Sequence, residues 1–186
     1  MSKISYLVYY AQALFVVLVI SGATKKNWQY VMEKFEWVST NESLISAKLR
    51  PIRIARGVYG LNGTINIGFE IDNTFKIQFK ILRSNSGTSK FIETPLHIPQ
   101  LPFYYFMTKY YKKYAMNDIK NCSDFPQFEG NFDTPTEIRN YYFNFCVMST
   151  ENMPTHMWTG FYKIVLDLEG PFVRFVCTVS SNVFSV

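Results

Sequence analysis

Apolar and polar residues alternate in two runs near the end of the chain. Every second position from Tyr162 to Leu168 is apolar, and so is every second position from Val173 to Val179. Glu169-Gly170-Pro171, a combination typical of turns, separates the two runs. A period of two indicates half-buried antiparallel strands, so the segment 157–179 is predicted to form a β-hairpin.

Similar patterns predict strands over 28–38 and 44–55. In the second, the apolar face changes parity across Arg50-Pro51. A bulge in an edge strand would explain both the parity change and the proline. Farther on, the odd positions from Tyr59 to Ile71 are mostly apolar. This register favours one long strand through Asn62-Gly63 over a two-residue hairpin turn at that point.

The middle of the chain adds a turn, two strands and one helix. Asp72-Asn73-Thr74 is the predicted turn, with alternating strands over 75–81 and 141–147 and an extended link punctuated by Pro95, Pro99 and Pro102. Pro102 is expected to open an amphipathic helix that reaches about Met116. Its apolar side is Phe103, Phe106, Met107, Tyr110 and Tyr114, and its basic side is Lys109, Lys112, Lys113 and Lys120.

These elements predict a mainly β fold. About seven or eight antiparallel strands with one amphipathic helix, and no alternation of strands with helices, are typical of a β-sandwich or cup. The apolar strand faces cover either packed side chains or an apolar cavity, because a core and a cavity wall alternate alike. The basic side of the helix is either a solvated face or a surface for transient contact with a membrane.

The first 23 residues are predicted to be a signal peptide. Lys3 precedes the apolar run 13–20, and small residues follow at 21–23, so cleavage is expected after Ala23. An uncleaved signal anchor is the alternative. Cleavage would leave a single domain, 24–186, in a secreted, extracellular glycoprotein, and the sequons at Asn41 and Asn62 fit that location. The net charge of +5 supports no more than a mild attraction to anionic surfaces.

Three cysteines in an oxidising compartment suggest one disulfide and one thiol. Cys122 follows the helix, and Cys146 shares strand parity with Tyr142 and Asn144, outside the apolar set. We therefore expect a Cys122–Cys146 bridge outside the core, which closes a segment of about 25 residues and contributes on the order of 3 kcal/mol. Cys177 shares parity with Val173 and Phe175 and is expected to be a buried thiol; intermolecular pairing is the alternative.

Residue patterns for catalysis are missing from the sequence. His97 and His156 lack metal-ligand spacing to another His, Cys or carboxylate, and no nucleophile elbow or glycine-rich phosphate loop occurs. The aromatic residues fall mostly on inward strand positions rather than in a basic groove, which argues against nucleic-acid binding. The sequence therefore predicts neither an enzyme nor a cofactor or metal site.

Five short motifs follow one another along the chain: Glu33-Lys34-Phe35-Glu36, residues 53–63 (RIARGVYGLNG), Cys122 followed by Phe125-Pro126, Asn152-Met153-Pro154, and Gly160-Phe161-Tyr162-Lys163-Ile164. Their order and spacing resemble the insect CheA/CheB chemosensory proteins over nearly the whole mature chain. The last hairpin also has a remote similarity to that of the ganglioside activator protein, in which a Gly-x-Tyr strand leads through a glycine turn to a strand with a cysteine.

The resemblance implies a lipid-recognition β-cup with a hydrophobic cavity and no enzymatic activity. It also implies a role in gustatory chemosensation, through binding of a lipid or a cuticular hydrocarbon pheromone. One departure concerns Cys177, because the corresponding cysteine of the ganglioside activator has an amino-terminal partner. This chain has no cysteine between Ala23 and Cys122, so Cys177 lacks that bond.

The first functional hypothesis is therefore a secreted carrier of a hydrophobic small molecule. The residues expected to line its cavity are Phe69, Ile71, Phe75, Ile77, Phe79, Phe106, Phe143, Phe145, Ile164, Leu166, Phe175 and Cys177. The aromatic loop with Phe125, Phe128 and Phe132 is expected to form its rim. The alternative is an interaction module that contacts a receptor or channel without a ligand, and it predicts a filled interior and an exposed apolar patch on that loop or on the helix.

Overall fold

Two antiparallel sheets and one helix make up the computed structural model, which describes residues 26, 28–88, 90–169 and 173–183. The larger sheet has the order β1-β8-β7-β4-β5 and the smaller one the order β2-β3-β6. The strands are β1 Trp28–Ser39, β2 Ile45–Ala55, β3 Val58–Ile67, β4 Lys76–Ser84, β5 Ile92–Pro102, β6 Arg139–Cys146, β7 Gly160–Glu169 and β8 Val173–Val183. The predicted mainly β fold is confirmed.

The predicted carboxy-terminal hairpin is also confirmed. Strands β7 and β8 pair antiparallel from Gly160↔Ser181 to Leu168↔Val173. The predicted turn extends into Gly170-Pro171, which lies outside the described residues, as does the predicted signal peptide. Within the described ranges, no helix is long and apolar enough to cross a bilayer.

Strand β5 occupies the segment predicted to be an extended link. It lies at the edge of the larger sheet and pairs only with β4, with register shifts along the pair. An edge strand can hold Pro95 and Pro99 because one of its two sides needs no ladder hydrogen bonds. The prolines that argued against a strand are therefore compatible with this one.

Strand β2 pairs with β3 without interruption across Arg50-Pro51. The pairs Arg50↔Asn62, Pro51↔Leu61 and Ile52↔Gly60 follow in order, and the irregularity comes later, between Arg53 and Ala55. The prediction of a bulge at Arg50-Pro51 is wrong, and the edge position of β2 is enough to accommodate the proline. Because the alternation holds as far as Arg53, Ile52 lies on the face opposite to Ile45 and Ala47. Ile54 lies at the irregularity, with 45% of its surface exposed.

Strand β3 runs unbroken through Asn62-Gly63, so the predicted continuous strand is confirmed at this point and the hairpin turn is excluded. The strand ends at Ile67 rather than at the predicted Ile71. The predicted turn at Asp72-Asn73-Thr74 is present as well. The amide of Phe75 donates to the carbonyl oxygen of Asp72, and the Asp72 carboxylate accepts from the amide and hydroxyl of Thr74. This turn carries the chain from the smaller sheet into the larger one.

The helix, α1 (103–119), packs across one end of the two sheets. It consists of an α-helical turn Phe103–Phe106, a π-helical segment Met107–Met116 and a final α-helical turn Asn117–Ile119. Its buried side chains are Phe103, Phe106, Met107, Tyr111 and Ile119. Tyr110 and Tyr114, which an α-helical period places on the apolar side, are only half-buried, and Tyr111 lies in the core instead.

A bulge near the end of β6 reverses its faces. Leu61 pairs with Cys146 but Gly63 pairs with Phe143, so β6 has one residue more than β3 between these pairs. Phe145 has a left-handed backbone, with φ 57°, as bulged residues often do. Phe145 therefore points outward with 50% of its surface exposed, and Cys146 points inward with 1% exposed. Both predicted orientations were wrong for this reason.

Candidate ligand-binding site

The inner face of the larger sheet carries two cross-strand rows of half-buried side chains, here called the middle rows. Residues directly opposite one another on paired strands share a face of the sheet, so the pairings of β4, β7, β8 and β1 define each row. The first row is Phe79, Leu166, Phe175 and Trp37, and the second is Ile81, Ile164, Cys177 and Phe35. All eight side chains are half-buried, and none of them carries a charge.

The rows on either side of the middle rows contain buried side chains. At the helix end, Ile77, Leu168 and Val173 are 4%, 3% and 0% exposed. At the far end, Tyr162 and Val179 are 3% and 8% exposed. The accessible apolar surface is therefore a strip in the middle of the sheet, and we call this strip the trough.

The packing of the core is divided at the same place. Phe79, Leu166 and Phe175 pack against a cluster of buried residues that includes the helix. Ile81, Ile164 and Cys177 pack against a second cluster, built on Met32, Tyr162 and Val179. A domain usually has one contiguous core with smaller satellite clusters. Here the boundary between the helix cluster and the smaller second cluster falls between the two middle rows.

The smaller sheet faces the trough with half-buried apolar residues of its own. Tyr59 and Leu61 of β3 pack with the second cluster, and Ile65 of β3 and Phe143 of β6 pack with the helix cluster. Apolar residues of the smaller sheet thus pack against the clusters at both ends of the trough, and α1 belongs to one of these clusters. Such a site can hold an apolar molecule by burying the surface of both partners.

The predicted cavity residues fall into three places. Five lie in the middle rows: Phe79, Ile164, Leu166, Phe175 and Cys177. Six lie in the helix cluster: Phe69, Ile71, Phe75, Ile77, Phe106 and Phe143. Phe145 is outside, on the outer face of β6. The cavity residues predicted from the sequence did not include Ile81, Phe35 and Trp37, although Ile81 continues the alternation of 75–81 and could have been included.

The loop predicted to be a rim packs against the helix instead. The ring centroid of Tyr111 lies 5.4 Å from that of Phe125 and 6.3 Å from that of Phe128, and Phe128 lies 5.1 Å from Phe132. Phe132 is buried, and the other two phenylalanines are half-buried. These rings form a packing layer between α1 and β6, and they offer no exposed apolar patch.

Behind this layer is a hollow of about 320 Å³ with polar walls. Asp124, Asp133, Glu137 and Arg139 line it, and Arg139 pairs with Asp124 and Glu137. Within the described residues, no group of three or more His, Cys, Asp and Glu side chains could hold a metal ion. Arg139 thus pairs with two of the three carboxylates that line this polar hollow.

Tyr111 anchors the aromatic layer through a buried hydroxyl. It donates a hydrogen bond of 2.8 Å to the carbonyl oxygen of Pro126, and burial raises the pKa of Tyr111. Tyr111→Phe should lower the free energy of unfolding by about 1 kcal/mol, because the carbonyl loses its partner inside the protein. Urea denaturation measures this, with Tyr105→Phe on the exposed side of α1 as the control. Equal stability of both variants would contradict it.

The free thiol, Cys177, lies at the centre of the second middle row. Burial raises the pKa of Cys177 to about 12, so the thiol stays protonated and adds no charge to the trough. The charged residues of the hairpin are on the opposite face, where Arg174 donates hydrogen bonds of 2.6 and 3.0 Å to Asp167. The middle rows therefore offer an uncharged surface.

The disulfide joins the residues that the sequence predicted, Cys122 and Cys146. Its location differs from the predicted one outside the core, since Cys146 is buried in the helix cluster.

The predicted glycosylation sites differ from each other in exposure. Asn41 is in an exposed turn, where its side-chain oxygen accepts from the amide and hydroxyl of Ser43. Asn62 is half-buried on the outer face of the central strand β3, opposite Arg50.

Comparisons with protein families and curated proteins identify no relative of this chain. No protein-family model matches the chain, and a search of curated proteins finds no match.

Proposed function

We propose that the chain is a secreted chemosensory binding protein, without catalytic activity, that holds a hydrophobic ligand in the trough. The observation that carries the proposal is the pair of accessible middle rows between buried ends. The resemblance to the insect CheA/CheB proteins supports the ligand class, a lipid or a cuticular hydrocarbon, and a role in detecting chemical stimuli. The predicted signal peptide supports an extracellular location.

The chemistry of the middle rows favours a long, uncharged ligand. Each methylene removed from water contributes about 0.8 kcal/mol, so roughly ten methylenes give about 8 kcal/mol before the cost of association is subtracted. A short apolar molecule would therefore bind weakly. Since no side chain in the middle rows is charged, an ionised carboxylate placed there would lose its hydration without gaining a partner. Hydrocarbons and esters should bind more tightly than fatty acids of equal length.

The test fills the trough without removing any contact. In Cys177→Phe, a large apolar side chain enters the centre of the second middle row. An empty trough should accept it with little change in the free energy of unfolding, whereas a filled core would lose roughly 1–3 kcal/mol through overpacking. Uptake of the fluorescent probe N-phenyl-1-naphthylamine should fall at least about tenfold. Thr178→Phe, on the opposite face of β8, is the matched control and should bind the probe like the parent.

Two results would overturn the proposal. One is a parent protein that takes up no probe and yields no lipid on extraction and mass spectrometry. The other is a Cys177→Phe variant that loses stability and leaves probe uptake unchanged. Either result would favour the second function, an extracellular module that contacts a chemosensory receptor or channel without a bound ligand.

A further inference from the structure

The β2–β3 hairpin carries most of the excess positive charge of the chain. Residues 45–67 contain four basic residues and no acidic ones, so they contribute +4 to a net charge of +5. These residues are Lys48, Arg50, Arg53 and Arg56, and all four are exposed. The salt bridges of the described residues involve none of them. Their charge is therefore turned entirely toward the surroundings.

An apolar patch lies at the tip of the same hairpin, on the outer face of the smaller sheet. Ile54, Val58, Phe145 and Val147 are 45%, 37%, 50% and 39% exposed. Gly60 separates the first from the third: a Cβ atom at Gly60 would lie 2.8 Å from Cδ1 of Ile54 and 3.1 Å from the carbonyl carbon of Phe145. The Ile54 side chain and the Phe145 backbone therefore flank Gly60 at the same end of the sheet, and exposed apolar residues grouped together often mark interaction sites.

Two departures from simple alternation put these side chains outside. The register shift between Arg53 and Ala55 places the Ile54 side chain over Gly60 on the outer face, and the bulge in β6 turns Phe145 outward. Lys48 and Arg50 share this outer face, because their partners on β3, Thr64 and Asn62, alternate in step with Gly60. Apolar and cationic side chains thus project in one direction, away from the trough.

Next to the apolar patch, the basic residues border an open hollow of about 490 Å³. Lys48 and Arg50 stand on β2, and Asn62 and Thr64 face them from β3. Two cations with an amide and a hydroxyl are suited to a phosphate, which accepts hydrogen bonds from all of them. A bilayer surface offers anionic phosphates beside apolar chains, and so matches both halves of this face.

We propose that the outer face of the β2–β3–β6 sheet binds the surface of a bilayer that contains anionic lipids. Ile54, Val58, Phe145 and Val147 enter the interfacial region, and Lys48, Arg50 and Arg56 contact the head groups. This face is separate from the trough, so the proposal stands whether or not a ligand binds there. It also differs from the basic side of α1, where Lys112 is held by the carbonyl oxygen of Gly130.

Glycosylation of Asn62 should prevent this face from binding a bilayer. A glycan at Asn62 would stand in the hollow between Lys48 and Arg50 and would hold the sheet away from the bilayer. The full chain with an unmodified Asn62 should bind, and the same chain with an N-glycan there should not. Modification of Asn62 would then determine whether this face is available.

The experiment compares two triple variants of the unglycosylated full chain. One is Lys48→Gln, Arg50→Gln and Arg56→Gln, and the other is Lys109→Gln, Lys113→Gln and Lys120→Gln on α1. Both lose three charges and keep the same amino-terminal segment. Binding to vesicles of phosphatidylcholine with about 30% phosphatidylserine is measured by co-sedimentation at low and high ionic strength. The hairpin variant should bind about 100-fold more weakly than the parent, and the helix variant should lose much less.

A third variant tests the apolar half of the face. Phe145→Ser should also weaken vesicle binding, and it should not affect uptake of N-phenyl-1-naphthylamine in the trough. The proposal is overturned if the parent binds pure phosphatidylcholine equally well, or if both triple variants lose the same amount. If the parent protein does not bind vesicles but binds polyglutamate through the hairpin cations, the membrane proposal is overturned in favour of an acidic protein partner.

Discussion

Gly63→Ala should lower the free energy of unfolding by about 4 kcal/mol or more. A Cβ atom at Gly63 would lie 1.8 Å from the backbone oxygen of Lys48, on the neighbouring strand. The backbone of Gly63 has φ 136°, a conformation that residues with a side chain rarely adopt. Strand β3 is the centre of its sheet, with β2 on one side and β6 on the other, so β2 and β3 cannot separate without breaking the ladder.

Gly130→Ala is the matched control for this effect. Gly130 also has a positive φ, 67°, but a Cβ atom there would meet nothing within 4 Å. It should therefore show only the backbone cost of about 1 kcal/mol. Urea denaturation followed by circular dichroism measures both variants. If Gly63→Ala were no less stable than Gly130→Ala, the close approach of β2 to β3 would be contradicted.

The same glycine shows where local and long-range signals disagree. Asn-Gly is the commonest short hairpin turn, and local preference alone would have broken β3 at that point. The register of apolar residues from Tyr59 to Ile67 gave the correct result, because a turn would have moved half of them to the wrong face. In this strand, burial over the whole face outweighs the preference of two residues.

The sequence was less informative about the helix, because the buried residues of α1 do not follow the α-helical period on which the prediction was based. Phe103, Met107, Tyr111, Ala115 and Ile119 are four residues apart, and all pack in the core. An α-helix of 3.6 residues per turn rotates such a series away from a single face. A π-helical segment, with its i→i+5 hydrogen bonds, has more than four residues in each turn and rotates the series in the opposite sense. The α-helical turns and the π-helical segment therefore offset each other, and the series stays near one face. The spacing of four was visible in the sequence, but the α-helical template assigned Tyr110 and Tyr114 instead.

The trough itself could not be predicted. Alternation identified Ile164, Leu166 and Phe175 as inward-facing, and that much is confirmed by the register. Whether two inward faces meet depends on the separation of the sheets and on what stands between them. That separation is set by long-range packing, such as the position of α1 across one end, which no local pattern records. The bulge at Phe145 is a similar case, since nothing in the alternation of 141–147 distinguishes it from a regular strand.

Removal of the disulfide should be the second large effect. The double variant Cys122→Ala and Cys146→Ala should lose about 3 kcal/mol of unfolding free energy, because the bridge closes 24 residues of sequence and restricts the unfolded chain. Burial of Cys146 adds to the loss, since alanine leaves a small void in the helix cluster.

Local structure around the bridge should survive its removal. The amide of Asn144 donates to the carbonyl oxygen of Cys122 at 2.7 Å, and the hydroxyl of Ser123 donates to that of Tyr142 at 2.6 Å. The far-ultraviolet circular dichroism of the variant should therefore match that of the parent, while its urea midpoint falls. Cys177→Ala, which leaves the bridge intact, is the control and should keep most of the stability. A control that falls as far as the double variant would mean that the bridge is not the main source of the difference.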